Sequence, residues 1–349
     1  MKLAKLSLAA IMTVGAMSAA NATSLEEAIK GVELSGYGYY RFHDASGSEA
    51  YNKIELRAQL TAPVQENIQF VTRFTGNYTT YTNATSGSAA PKIDRLFFNY
   101  KGFDKTTVTL GRMYTGTPLD DTAALGLKVV SSPVTGLTLA AAYFNDNSAV
   151  TNALAAVAVI YSNDMFNGRL WYINMDSEGS NTSNGANFIF GELGATIGPV
   201  AVKGQYAQRD ADANTYTDST MRIQVSGKFG PATLRVGYTL NDNNGGAVTV
   251  DGSAEGDNDL IYGGIYGLVQ SNGAKDQSIF GEVKIAAGKF GVKAGYVSYD
   301  DHAFDSQYYG QVDYAMTKKF SAYVRYGSAD PVGGGDDKTL ARFNATYKF

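Results

Sequence analysis

The feature that most restricts this chain is an alternation of apolar and polar side chains, held for about ten residues at a time and repeated along much of its length. In NKIELRAQLTA (52–62), Ile54, Leu56, Ala58 and Leu60 share one face, while Lys53, Glu55, Arg57 and Gln59 share the other. The same period runs through TMRIQVSGKFG (220–230), ATLRVGYTL (232–240), KFSAYVRYG (319–327) and the closing TLARFNATYKF (339–349). Strands of soluble sandwiches average about five or six residues. A tilted strand that crosses a bilayer needs roughly 9–11, which is the length seen here.

Composition removes most competing classes. Charged residues are 18%, below the roughly 25% of an average soluble domain. With Cys 0, disulfides, thiolate zinc sites and cysteine nucleophiles are excluded. The two histidines, His43 and His302, have no G-x-S-x-G elbow or other marked nucleophile to serve, so no enzyme is expected. DGSAEGDND (251–259) lacks the glutamate spacing and flanking helices of an EF-hand, and GGG (333–335) precedes no helix that could hold a phosphate.

The start of the chain supplies a compartment. Lys2 and Lys5 precede a short apolar run, and Ala20-Asn21-Ala22 forms an A-x-A cleavage pattern, so residues 1–22 read as a secretory signal peptide. Without Lys2 and Lys5 the mature chain has 27 basic and 33 acidic residues, a net charge of −6. That sign argues against nucleic acid as a partner. Residues 23–31 read as a periplasmic segment and 32–349 as one transmembrane domain. No later segment reaches the roughly 18 apolar residues of a spanning helix.

Turn lengths give the topology. Short connectors such as PVQEN (63–67), GFDKT (102–106), IGP (197–199), FGP (229–231) and AGKF (287–290) alternate with longer ones rich in Gly, Asn, Ser and Asp. Short turns on the periplasmic rim and long loops on the outer rim are the organisation of outer-membrane barrels. Placing the short turns on one side predicts an all-β, antiparallel, closed barrel of about 18 strands, with 16 as the alternative. Parity assigns IYGGIYGLV (261–269) to a long outer loop. A closed barrel pairs its last strand with its first, which puts Tyr347 and Phe349 on the lipid face near the periplasmic interface.

So many strands enclose a lumen too wide for wall side chains alone to plug, so water is expected to fill it. Parity turns Arg41, Lys53, Glu55, Arg57, Arg73, Arg95, Arg222, Arg235, Arg325 and Arg342 inward. Counting from the turns brings Arg41, Arg57, Arg73, Arg95 and Arg342 to mid-height on neighbouring strands, as one basic ladder that sets selectivity. Arg112 shares parity with Val108 and Leu110 and is expected to point outward.

MKLAKLSLAA, SAANATSLEEAIKGVELSG, GLTLAAA and the ending YKF resemble the Campylobacter-type major outer membrane protein family of trimeric porins. The first 36 residues carry the most specific part, and DDTAALGLKVV (120–130) extends it. The resemblance implies a Gram-negative outer membrane location, a homotrimer in outer-membrane lipid, passive diffusion of ions and small hydrophilic solutes, and a tendency to cation selectivity. It also implies that the C-terminal aromatic, here Tyr347 and Phe349, is a signal for the barrel-assembly machinery. In such porins the third outer loop, here MYTGTPLDDTAAL (113–125), folds into the lumen. Tyr114, Asp120 and Asp121 would then form the constriction opposite the arginines, with calcium at Asp120 as the one cofactor implied. The function expected is a weakly cation-selective porin; a substrate-selective channel, or an adhesin or receptor on a plugged barrel, are the alternatives.

Overall fold

The computed structural model describes residues 31–82, 87–119, 122–147, 153–176, 185–211, 217–242, 247–248, 250, 275–300 and 302–349. Residues 1–22, expected as a signal peptide, and 23–30 of the expected periplasmic segment lie outside these residues, as does 261–269. Eighteen strands follow one another: β1 Glu33–Ala45, β2 Tyr51–Gln65, β3 Ile68–Tyr81, β4 Gly87–Phe103, β5 Thr106–Tyr114, β6 Ala123–Val134, β7 Leu137–Asn147, β8 Leu154–Ser162, β9 Phe166–Met175, β10 Ala186–Ile197, β11 Val200–Ala211, β12 Thr217–Phe229, β13 Ala232–Asn241, β14 Gln277–Ala287, β15 Phe290–Asp300, β16 Phe304–Ala315, β17 Phe320–Pro331 and β18 Lys338–Lys348. Each pairs antiparallel with its sequence neighbours, and β18 pairs with β1, so the sheet closes.

Closure extends to the last residue. Gly36 N donates to Phe349 O at 3.2 Å and Phe349 N donates to Gly36 O at 3.1 Å. Gly36 has φ +157°, and a Cβ there would lie 2.1 Å from the Arg57 carbonyl oxygen and 3.0 Å from the Phe349 ring. Only glycine lets the terminal strand seat its aromatic at this point. Among the described strands no edge is left to recruit another chain, which a membrane-spanning sheet could not expose to lipid.

The outer face is the solvent-matched surface. Leu193 is 76% exposed and Ile197 is 72% exposed, a density of bare apolar groups that water would not tolerate but hydrocarbon does. Tyr172, Tyr206 and Tyr238 top this band on alternate strands. Their hydroxyls donate to Asn187 Oδ1 at 2.7 Å, Gln208 Oε1 at 3.0 Å and Gln277 Oε1 at 2.7 Å. Rings against hydrocarbon and hydroxyls towards polar partners mark the outer interface.

Candidate functional site

The inner face of β17, β18 and β1–β4 carries a continuous cationic track. Arg325 stands opposite Arg342, Arg342 opposite His43, Arg41 between Asn344 and Lys53, Arg57 opposite Thr75, and Arg73 opposite Arg95. Guanidinium groups on adjacent strands repel one another, and three kinds of partner offset this. Carboxylates come first: Glu55, 4% exposed, accepts from Arg57 Nε at 2.7 Å and lies 2.9 Å from Lys53 Nζ. Amide and imidazole acceptors follow, with Arg41 Nε donating to Asn344 Oδ1 at 3.3 Å and Arg342 Nε to His43 Nδ1 at 3.2 Å. Ring faces complete the set, since Arg41 lies 4.8 Å from the Tyr39 centroid and Arg57 lies 5.6 Å from that of Tyr37.

Asp94 is a site residue that simple alternation misses. Arg73 pairs with Arg95 and Phe74 with Ile93, so Asp94 is the extra residue of a bulge in β4. The bulge lets adjacent residues Asp94 and Arg95 both act inside the barrel. Asp94 accepts Arg73 Nε at 2.8 Å and Thr75 Oγ1 at 2.8 Å, and also pairs with Arg73 Nη2. Pro91, which lacks an N–H for the ladder, was the visible sign that this strand would be irregular.

Tyr114 is a correction. It was expected in the third outer loop, but β5 runs two residues past the expected end at 112 and Tyr114 is its last residue. Its hydroxyl accepts from Arg73 Nη2 at 2.7 Å, and its ring lies 3.5 Å from the Arg95 guanidinium carbon. Lys128 Nζ donates to the Tyr114 carbonyl at 3.0 Å and holds the backbone in place. One phenol thus fixes two arginines.

The opposite sector is a second correction. Water was expected across the whole lumen. Instead the inward residues of β6–β11 pack as an apolar cluster that includes Ala124, Phe144, Leu154, Ala156, Ile173, Phe188 and Phe190, none more than 3% exposed. Alanines on β6 and β8 make room for rings from β7 and β10, so this part of the interior is filled as a core is filled. Two loop pieces cover it. Leu119, 1% exposed, comes from the loop after β5; Val248 and Val250 come from the long connection after β13. Val250 N donates to Leu119 O at 2.9 Å and Val248 N to Thr220 Oγ1 at 3.0 Å. The third loop therefore bends inward as far as Leu119, while Asp120 and Asp121, with the calcium expected at Asp120, lie outside the described residues.

Arg222 and Arg235 form a further inner group with Phe280. Their guanidinium carbons lie 4.9 Å and 5.6 Å from its ring centroid, and Arg235 pairs with Glu282 at 3.3 Å. Gly237 makes room for the ring, because a Cβ there would come within 2.5 Å of it. Arg325 donates to Gln311 Oε1 at 2.7 Å and lies 5.1 Å from the Tyr309 centroid. Along the axis charge is zoned. Asp44, Asp176, Asp242, Asp276, Asp300 and Asp330 stand at the long-loop ends of strands, while Lys105, Lys228, Lys289 and Lys319 stand near the short turns. Tyr347 and Phe349 stack at the short-turn rim with centroids 6.3 Å apart.

Residues 1–149 match the family model described as Campylobacter major outer membrane protein. Among curated proteins none matches the chain. Similar solved structures include Pseudomonas aeruginosa OccK3 (OpdO), 13% identical, with a TM-score of 0.75 and coverage of 93% of this chain and 97% of that one. Another is Pseudomonas aeruginosa OpdK with vanillate, 12% identical, with a TM-score of 0.74 and coverage of 92% and 99%. A third, the Pseudomonas aeruginosa outer membrane protein OpdK, is 12% identical, with a TM-score of 0.71 and coverage of 92% and 99%. At such identities the likeness is one of fold.

Proposed function

From the premise that this chain is an outer-membrane barrel matching the Campylobacter major outer membrane protein family over residues 1–149, we propose that it is a passive diffusion pore for ions and small hydrophilic solutes. One observation carries the reading: a closed barrel whose interior holds a row of basic side chains on one wall and an apolar cluster on another. Polar solutes exchange hydration for the charged wall, while apolar solutes would have to displace water ordered between the arginines. The acid-rich long-loop rim raises cation concentration at the entrance, so net selectivity is weakly cationic, although the ladder itself attracts carboxylates. Single-channel recording under a salt gradient tests this. Large ohmic steps with a reversal potential on the cation side support it, and a closed bilayer would favour a plugged platform for surface loops.

A second reading is a substrate-selective channel. It is favoured by Leu119, Val248 and Val250, which take space from the lumen in the same cluster as Met113 and Phe97, the near neighbours of Tyr114 and Arg95 in sequence. An aryl carboxylate such as the vanillate of the OpdK structure would find a guanidinium and a ring face together there. Vanillate that interrupts the current at low concentration in wild type but not in Arg95→Gln would select this reading. The pore is proposed to work as a homotrimer in outer-membrane lipid, inserted by the barrel-assembly machinery through Tyr347 and Phe349, with the mature chain starting at Thr23. Native electrophoresis and N-terminal sequencing check these points.

A further inference from the structure

Counted upward from the short-turn rim, the seventh residue is Phe74 in β3, Tyr143 in β7, Tyr172 in β9, Tyr206 in β11, Tyr238 in β13, Tyr296 in β15 and Tyr326 in β17. In β5 the seventh residue is Arg112. It stands on the outer face, opposite Leu96 and Leu125, which are 44% and 46% exposed. A guanidinium therefore takes the place that an aromatic ring takes on every other ascending strand from β3 to β17. Charge on the lipid face is costly at mid-bilayer and tolerated near the interface, where a long side chain can reach the headgroups.

Beside it lies a groove of about 330 Å³ in the same outer wall. Ala141 and Ala155 form its floor, and Leu127, Tyr143, Val157 and Tyr172 form its sides. Leu127 is two residues along β6 from the partner of Arg112, and it stands opposite Tyr143. Strands are about 4.8 Å apart, so a headgroup at Arg112 and a chain over β7 are separated by about 10 Å, within the span of one lipid.

We propose that this sector binds a phosphate-bearing lipid of the leaflet on the long-loop side, with the phosphate on Arg112 and one acyl chain over Ala141 and Ala155. Charge complementarity chooses lipid over a second copy of the chain. At the level of Arg112 the other ascending strands from β3 to β17 offer rings, and the carboxylate residue in register with it is Asp146 of β7, one strand beyond Leu125. No carboxylate whose side chain is described forms an ion pair with Arg112.

Native mass spectrometry of the detergent-purified protein tests the site. The probes are phosphatidylglycerol and a neutral galactosyl diacylglycerol with the same chains. Wild type should retain phosphatidylglycerol preferentially, and Arg112→Leu should weaken that retention about tenfold while leaving the galactolipid unchanged. Arg112→Lys should keep part of the preference. Ala141→Leu with Ala155→Leu should weaken both lipids, because it fills the groove. Undiminished phosphatidylglycerol binding by Arg112→Leu would overturn the proposal. So would unchanged lipid binding accompanied by loss of oligomer, which would make this wall a contact between copies. Single-channel conductance of Arg112→Leu should equal wild type, so failure of the lipid site is separable from failure of the pore reading.

Discussion

The two inner walls of this barrel solve opposite problems with the same strand geometry. On β1–β4 the inward positions carry Arg41, Lys53, Arg57, Arg73 and Arg95, held apart by Glu55, Asp94 and tyrosine faces, and the wall depends on water. On β6–β11 the inward positions carry Phe144, Ile173, Phe188 and Phe190, and the wall excludes water by packing. A barrel of this width therefore need not have a uniform lumen. One sector is lined by charge, and the other is packed as an internal core that seats Leu119, Val248 and Val250.

The largest test of that division is on the packed wall. Phe188→Ala should lower stability by about 3–5 kcal/mol, read from urea unfolding in micelles, because it opens a cavity in a dry cluster. A loss below about 1 kcal/mol would mean that water already reaches this wall. On the charged wall, Arg57→Gln with Arg95→Gln leaves the Arg73–Asp94 pair intact and removes two guanidinium groups. At roughly 1 kcal/mol for each charge, anion permeability should fall about fivefold per residue, seen as a shift of the reversal potential towards the cation side. An unchanged potential would put the ladder away from the narrowest point.

Most of the architecture was legible because period-two alternation and turn length are local properties. The short connectors at 197–199, 229–231 and 287–290 join β10 to β11, β12 to β13 and β14 to β15 as expected, and the inward positions of Arg41, Arg57, Arg73, Arg95 and Arg342 follow from parity alone. The outward turn of Arg112 follows in the same way. What was not legible depends on departures from parity or on contacts distant in sequence. The bulge at Asp94 shifts one residue in β4, which no alternation can express. LAAVAVI in β8 is apolar on both faces, so its pattern cannot say whether the inner face meets water or a loop. Leu119 meeting Val250 required two loops to converge on that face. Whether Asp120 and Asp121 face the ladder is a question for the reversal potential of Asp120→Asn with Asp121→Asn, which should move towards anions.

Smaller effects sharpen the boundary between the walls. Val250→Ser should cost about 1–2 kcal/mol of the anchoring that holds the loop after β13 against Leu119, and should raise single-channel conductance modestly. Tyr114→Leu removes the acceptor for Arg73 and the ring under Arg95, a loss of about 1 kcal/mol. Its clearest sign should be noisier open-channel current as the two arginines gain freedom, with little change in mean conductance.

Because the chain has Cys 0, single cysteines report on either wall without background. The most direct measurement is the response of the open-channel current to a charged, membrane-impermeant thiol reagent, in Arg57→Cys and in Ala156→Cys. A stepwise fall in current for Arg57→Cys, and none for Ala156→Cys, is the result expected of one wet wall and one dry wall. Equal block of both, or of Ala156→Cys alone, would contradict the division.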